Sequence, residues 1–228
     1  MTIEYIRAQL AKQATIFQTG GIRPTHDLLE SWIGYVGWSL PEEEQPPSGY
    51  QPLATFFLKD LPYVPAALKP FQLVTLFVDE RLLDHLMEDD LSPYFHIRTY
   101  TTLEGLVKRE WQHDGIRAFP LQPKLITNDY PVWDGGGIPL QIEEDILTLE
   151  REDELEYFED IVEDLYPLHK IGGYPSFCQS GYDFGEDTPF VLQIASDAKA
   201  RLNIVDHGNF YFFYNPTTQT WRVYCDFY

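Results

Sequence analysis

The chain has 228 residues, 44% of them hydrophobic and 15% aromatic, which is enough apolar surface to bury a sizeable core and too much for a disordered chain. Its 36 Asp and Glu outnumber its 16 Lys and Arg, for a formal net charge of −20. Nucleic acid is bound by neutralising phosphates with cations, so no direct nucleic-acid partner is expected, and no anionic membrane surface. A basic protein is the macromolecular partner that such a field favours.

The opening Met1-Thr2-Ile3-Glu4-Tyr5 lacks the basic and apolar regions of a signal peptide. No run approaches the ~20 apolar residues of a membrane helix. The two cysteines, Cys178 and Cys225, form no Cys-x-x-Cys pair. A reducing, cytoplasmic setting is expected, with both thiols as small core residues.

In chain order, Ile3, Ile6, Leu10, Ala14 and Phe17 fall near helical spacing, capped by Thr2 and ended by Thr19-Gly20-Gly21. A turn-rich stretch to Tyr50 follows, with Trp32, Tyr35, Trp38 and a Pro-Glu loop from Pro41 to Pro47. Leu53–Leu58 and Leu73–Val78 read as strands, and 81–88 reads as a short helix. Thr101-Thr102-Leu103-Glu104 has capping-box spacing and predicts a helix to about Gln112. Trp133-Asp134-Gly135-Gly136-Gly137 lacks the strand and helix that a phosphate-cradling glycine motif needs, so it reads as a loop.

The segment 143–164 carries more than half of the negative excess, with Arg151 its only basic residue. Leu155, Phe158, Ile161, Val162 and Leu165 give it an apolar stripe, so it is expected to be an amphipathic helix with an acidic outer face. Such a cluster is more often a solvated face; the functional reading is a docking surface for a basic partner, because long-range steering needs such a field. Downstream, Phe190–Ile194 and Asn209–Tyr214 read as strands, and Trp221, Val223, Cys225 and Phe227 alternate with polar neighbours.

The chain also echoes itself. Gly20-Gly21-Ile22-Arg23-Pro24 is matched by Gly172-Gly173-Tyr174-Pro175, Pro52–Phe57 by Pro189–Ile194, and Leu73–Asp79 by Asn209–Asn215. Coincidence among common strand patterns is the simple alternative. Taken together, the expectation is an α+β fold spanning 1–228. It has two pseudo-repeated β-rich halves, about 1–80 and 167–228. An N-terminal helix precedes them, and a helical acidic insertion over about 81–166 separates them.

Three blocks carry a resemblance. His169-Lys170-Ile171-Gly172-Gly173-Tyr174-Pro175, then Leu192-Gln193-Ile194, then Asp206-His207-Gly208-Asn209 with Phe212-Phe213, are similar to the signature of the YwqG family of bacterial proteins. Asn203-Ile204-Val205 departs from the Trp-Gly usual before the aspartate. The resemblance marks His169, Lys170, Gly172, Gly173, Pro175, Gln193, Asp206 and Gly208 as motif residues, and it implies an α+β fold of two related halves. It also implies an immunity-type role, since members tend to lie near polymorphic toxin loci.

Chemistry needs convergent groups. Cys178, His207 and Asp206 have the types of a thiol nucleophile, base and orienter, though a lone cysteine before a strand is usually core. His169, His207 and Asp206 have the types of a metal site. Gly172-Gly173 is expected to make a tight turn and His169-Lys170 to support it. The reading is a non-enzymatic protein, with no cofactor and no metal, that neutralises a cognate toxin or binds another basic protein. Its acidic face comprises Glu152, Asp153, Glu156, Glu159, Asp160 and Glu163, with Trp32, Trp38 or Tyr157 as aromatic anchors. The alternative is a ligand- or metal-binding protein or small-molecule enzyme, with a site between the halves at His169, Asp206 and His207. A third reading is a DNA mimic, which would need carboxylates in regular surface rows.

Overall fold

The computed structural model of the protein describes residues 2–228 apart from His26, Gln45, Pro47, 112–114 and Glu163. Helix α1 spans Ile3–Leu10, with the Thr2 hydroxyl accepting from the Tyr5 N–H. The chain turns extended at Ala11 and continues as strand β1, Lys12–Thr19. The helix expected through Phe17 is therefore half as long. Ala14 and Ile16 sit on one face of β1 with Ile126, while Phe17 enters the main core on the other, a period of two.

The next strands are β2 (Trp32–Ile33), β3 (Trp38–Ser39), β4 (Tyr50–Phe57), β5 (Leu73–Asp79), β6 (Phe95–Tyr100), β7 (Val107–Lys108) and β8 (Phe119–Asp129). Helix α2 (Leu140–Arg151) precedes β9 (Lys170–Gly172), β10 (Phe190–Ala195), β11 (Asn209–Asn215) and β12 (Thr220–Asp226). The helix expected over 81–88 is a 3-10 segment, Glu80–Asp84. The one expected from Thr101 is a turn in which the Thr102 hydroxyl takes the Glu104 N–H, followed by pairing of β7 with β3; its expected end at Gln112 lies outside the described residues.

Ten strands form one antiparallel sheet in the order β12-β11-β10-β9-β1-β8-β2-β4-β5-β6, with β3 and β7 as a separate pair. The sheet curls so that its two ends face each other across one core, where Leu53, Phe56 and Leu76 meet Val191, Leu192 and Val223. Phe95 of β6 packs edge-on against Phe210 and Phe212 of β11, with ring centroids 5.2 and 5.1 Å apart. The segment before β6 caps the outer edge of β12. Asp90 takes the Val223 N–H and the Arg222 guanidinium, and Leu91 donates to the Val223 carbonyl.

This mostly β architecture overturns the α+β expectation and its helical insertion. Residues 81–166 contain β6, one edge of the sheet, and the eleven-residue β8, which lies at its centre between β1 and β2. Pro120 and Pro123 hid that strand from sequence patterning. Leu121 donates its N–H away from β1, to Ser31, so Pro123, two residues on, faces the same way and leaves no β1 bond unmade.

The strand order is symmetric about the β1–β8 pair, where Gln18 lies opposite Gln122. Ile171 of β9 sits between Thr15 and Leu192; Ile33 of β2 sits likewise between Phe119 and Ala54. The counterpart of Gly172 (φ +78°) is therefore Gly34 (φ +70°), not the Gly20-Gly21 pair that the sequence echo selects.

Candidate functional site

The signature residues His169, Lys170, Gly172, Gly173 and Pro175 sit on and beside β9, and their polar groups are spent on the surrounding fold. Lys170, on the central row of the sheet, is fully buried and places Nζ 3.0 Å from Asp129 Oδ2. Burial lowers its pKa and the Asp129 charge opposes that shift. Asp129 also accepts the Tyr174 N–H at 2.8 Å. Gly173 makes this possible, because a Cβ there would lie 1.9 Å from the same carboxylate. At Gly172 a Cβ would lie 2.4 Å from the Tyr63 ring. Past the half-buried Pro175, the buried Gln193 accepts the Ser176 N–H and donates to the Leu168 carbonyl. At Gly208 a Cβ would meet the Asp226 carbonyl at 2.1 Å.

His169 works as a splice. Strand β9 is only three residues long, and beyond it β1 and β10 part. The His169 carbonyl takes the Phe17 N–H from β1, and its Nδ1 takes the Ala195 N–H from β10 at 3.1 Å. Nδ1 therefore holds the lone pair, and Nε2 carries the proton that reaches Asp197 at 3.2 Å. Asp197 also accepts the Thr19 hydroxyl and the Lys199 and Ala200 N–H groups. Burial would raise its pKa, but the bonds from His169 and Thr19 outweigh that and hold it well below the usual carboxylate range. A cavity of about 470 Å³ opens beside this pair, with Gln18, Gln122 and Lys124 toward solvent. Ser31 is the counterpart of His169: its carbonyl takes the Leu121 N–H and its hydroxyl the Phe57 N–H.

The structure does not assemble the predicted constellations. Asp206 and His207 are exposed in a loop and are not among the side chains lining the His169 cavity. Among the described residues, no group of three or more His, Cys, Asp or Glu could hold a metal ion. Cys178 instead lies beside Asp226, whose carboxylate takes the Cys178 and Gln179 N–H groups and the Tyr211 hydroxyl. Burial and the Asp226 charge push its thiol up to about 11, so it is not poised as a thiolate nucleophile. Cys225 faces the opposite side of β12, in the main core.

The acidic segment is not one helix. α2 ends at Arg151, Asp153 adopts a left-handed φ of 57°, and a π-helical turn spans Tyr157–Ile161. Leu155, Tyr157, Ile161 and Val162 pack with Ile6, Leu10, Ile142 and Ile146 in a cluster separate from the main core. Tyr157 is buried and donates to the Pro131 carbonyl at 2.8 Å. Phe158 and Leu165, expected in the buried stripe, are 50% and 49% exposed. Glu152, Asp153, Glu156 and Glu159 are exposed; Asp160 is half-buried and its carboxylate takes the Glu156 N–H. Glu163 lies outside the described residues.

A family model described as a domain of unknown function, DUF1963, matches residues 91–219. The chain belongs to the DUF1963 family. The match takes in β6, β8, the acidic segment, the signature residues and β10, so it crosses the boundary expected near residue 166. It does not extend to the YwqG name, which stays a likeness of motifs. No curated protein matches the chain.

Sequence reasoning missed the partners of these motif residues: Asp129 for Lys170, Asp197 for His169, and Asp226 for the Cys178 loop. Each lies at a strand end or just past one, far from its partner in sequence, and no local spacing marks it.

Proposed function

We propose that this DUF1963 chain is a non-enzymatic, cytoplasmic binding protein that docks a basic protein through the acidic surface of residues 150–160. The observation that carries the reading is Phe158. It is half exposed, with Glu156, Glu159 and Asp160 around it in sequence and Glu152 and Asp153 exposed on the preceding turn. An exposed aromatic among carboxylates has the composition of an interface anchor with a charged rim, the rim steering encounter and the ring supplying affinity. The net charge of −20 extends that field over the molecule. The narrower reading, a bacterial toxin as partner and this chain as its immunity protein, rests on the YwqG resemblance.

The test is affinity capture from native lysate at low and physiological salt, followed by association kinetics with the retained protein. Glu152, Asp153, Glu156 and Glu159→Lys should slow association, most at low salt, because screening shortens the field's reach from ~30 Å at 0.01 M to ~8 Å at 0.15 M salt. Phe158→Ala should instead speed dissociation. Association kinetics indifferent to the four reversals would rule this surface out.

A further inference from the structure

A second cavity, of about 370 Å³, opens between the two halves of the curled sheet, away from the acidic segment. Its floor is core: Val78, Leu82, Ile116, Leu202, Ile204 and Phe210 are all buried. The rim is polar. Gln51 spends its Oε1 on the Ile116 N–H, which leaves its Nε2 as a donor, and Asn203 adds a second amide. Arg201 stands exposed on the same rim. In a chain with 36 acidic side chains, no described carboxylate lies within ion-pair distance of its guanidinium, not even Glu80, which lines the same cavity.

The loop that presents these groups is strained. Arg201, Val205, Asp206 and His207 have φ of 55°, 26°, 30° and 62°, and a β-branched residue is seldom found there. The end of β10 holds the loop in place: the Ser196 hydroxyl takes the Ile204 N–H and donates to the Gly208 carbonyl, and Asp197 pairs with Leu202 through the backbone. Strain of this kind persists only where the surroundings over-determine it, and it gathers at ligand clamps.

We propose that this cavity binds a small apolar carboxylate, with its hydrocarbon body on the core floor and its carboxylate at Arg201. The volume lies in the range of small-molecule sites, which favour an apolar lining with a few placed polar groups. Gln51, Asn203 and Arg201 all line the cavity and bring donors to it, and a carboxylate is an acceptor only. The site is separate from the docking surface proposed above and stands or falls independently of it.

Calorimetric titration with octanoate, octanol and octylammonium tests the assignment. Octanoate should bind saturably and about tenfold tighter than octanol, because the charge-assisted bond to Arg201 is lost with the alcohol. R201Q should bring octanoate down to the octanol level and leave octanol unchanged; Arg201 is exposed, so the fold should hold, which urea unfolding verifies. Absence of saturable octanoate binding, octylammonium binding as tightly as octanoate, or indifference to R201Q would each overturn it.

Discussion

A lysine ammonium shut away from water needs a carboxylate to answer it, and Lys170 has Asp129. Replacing Lys170 with Met leaves that carboxylate buried and unanswered, so it should cost about 3–5 kcal/mol in urea unfolding. Lys170→Met combined with Asp129→Asn, which keeps an acceptor for the Tyr174 N–H, should recover much of the loss. Asp197 makes a prediction in pH. Its folded pKa lies below its unfolded value, so the folded state binds fewer protons in that window. Its contribution is complete above the usual carboxylate range and is lost progressively as pH falls from that range toward its lowered folded value. Asp197→Asn should lower stability at neutral pH and flatten the decline toward about pH 3.

Part of this was legible in the sequence. Gly172-Gly173 reads as a tight turn from sequence, and both residues have the positive φ that such a turn uses. The polar residues beside them looked like site chemistry because His, Lys and Asp are the residues of sites. What sequence cannot display is occupancy: both nitrogens of His169 and the whole Asp197 carboxylate are already bonded to the fold.

At the scale of elements, strands with β-branched and aromatic runs were legible and short or proline-bearing ones were not. β4, β5, β10 and β11 follow the runs closely, whereas β2 and β9 have two and three residues and offer no periodicity to read. The acidic stripe misled because a π-helical turn rotates the pattern, taking Tyr157 inward and Phe158 outward. The edge of β12 gives a third prediction. Asp90 covers the Val223 N–H and holds Arg222. Asp90→Ala should uncover a strand edge of the kind that recruits other chains, and light scattering should show self-association that the parent lacks.

For the whole molecule, a net charge of −20 means that the folded state compresses its own repulsion. Raising sodium chloride from about 0.01 to 0.15 M should therefore raise the thermal midpoint. A midpoint unmoved by salt would mean that local pairs, such as Arg222 with Asp90, already neutralise the surface where it matters.

The central position of β1 also dictates an order of assembly. Its two neighbours are β8, where Lys12 meets Asp129, and β9, where Thr15 meets Ile171. A ribosome delivers β1 first, β8 next and β9 last of the three, so the middle of the sheet is finished late. Until then β1 can pair with β8 but keeps its other edge open, and such closure over long sequence separations is slow. Chains halted before Ile171 should collect in aggregates or on chaperones, while chains that extend through β12 should mature.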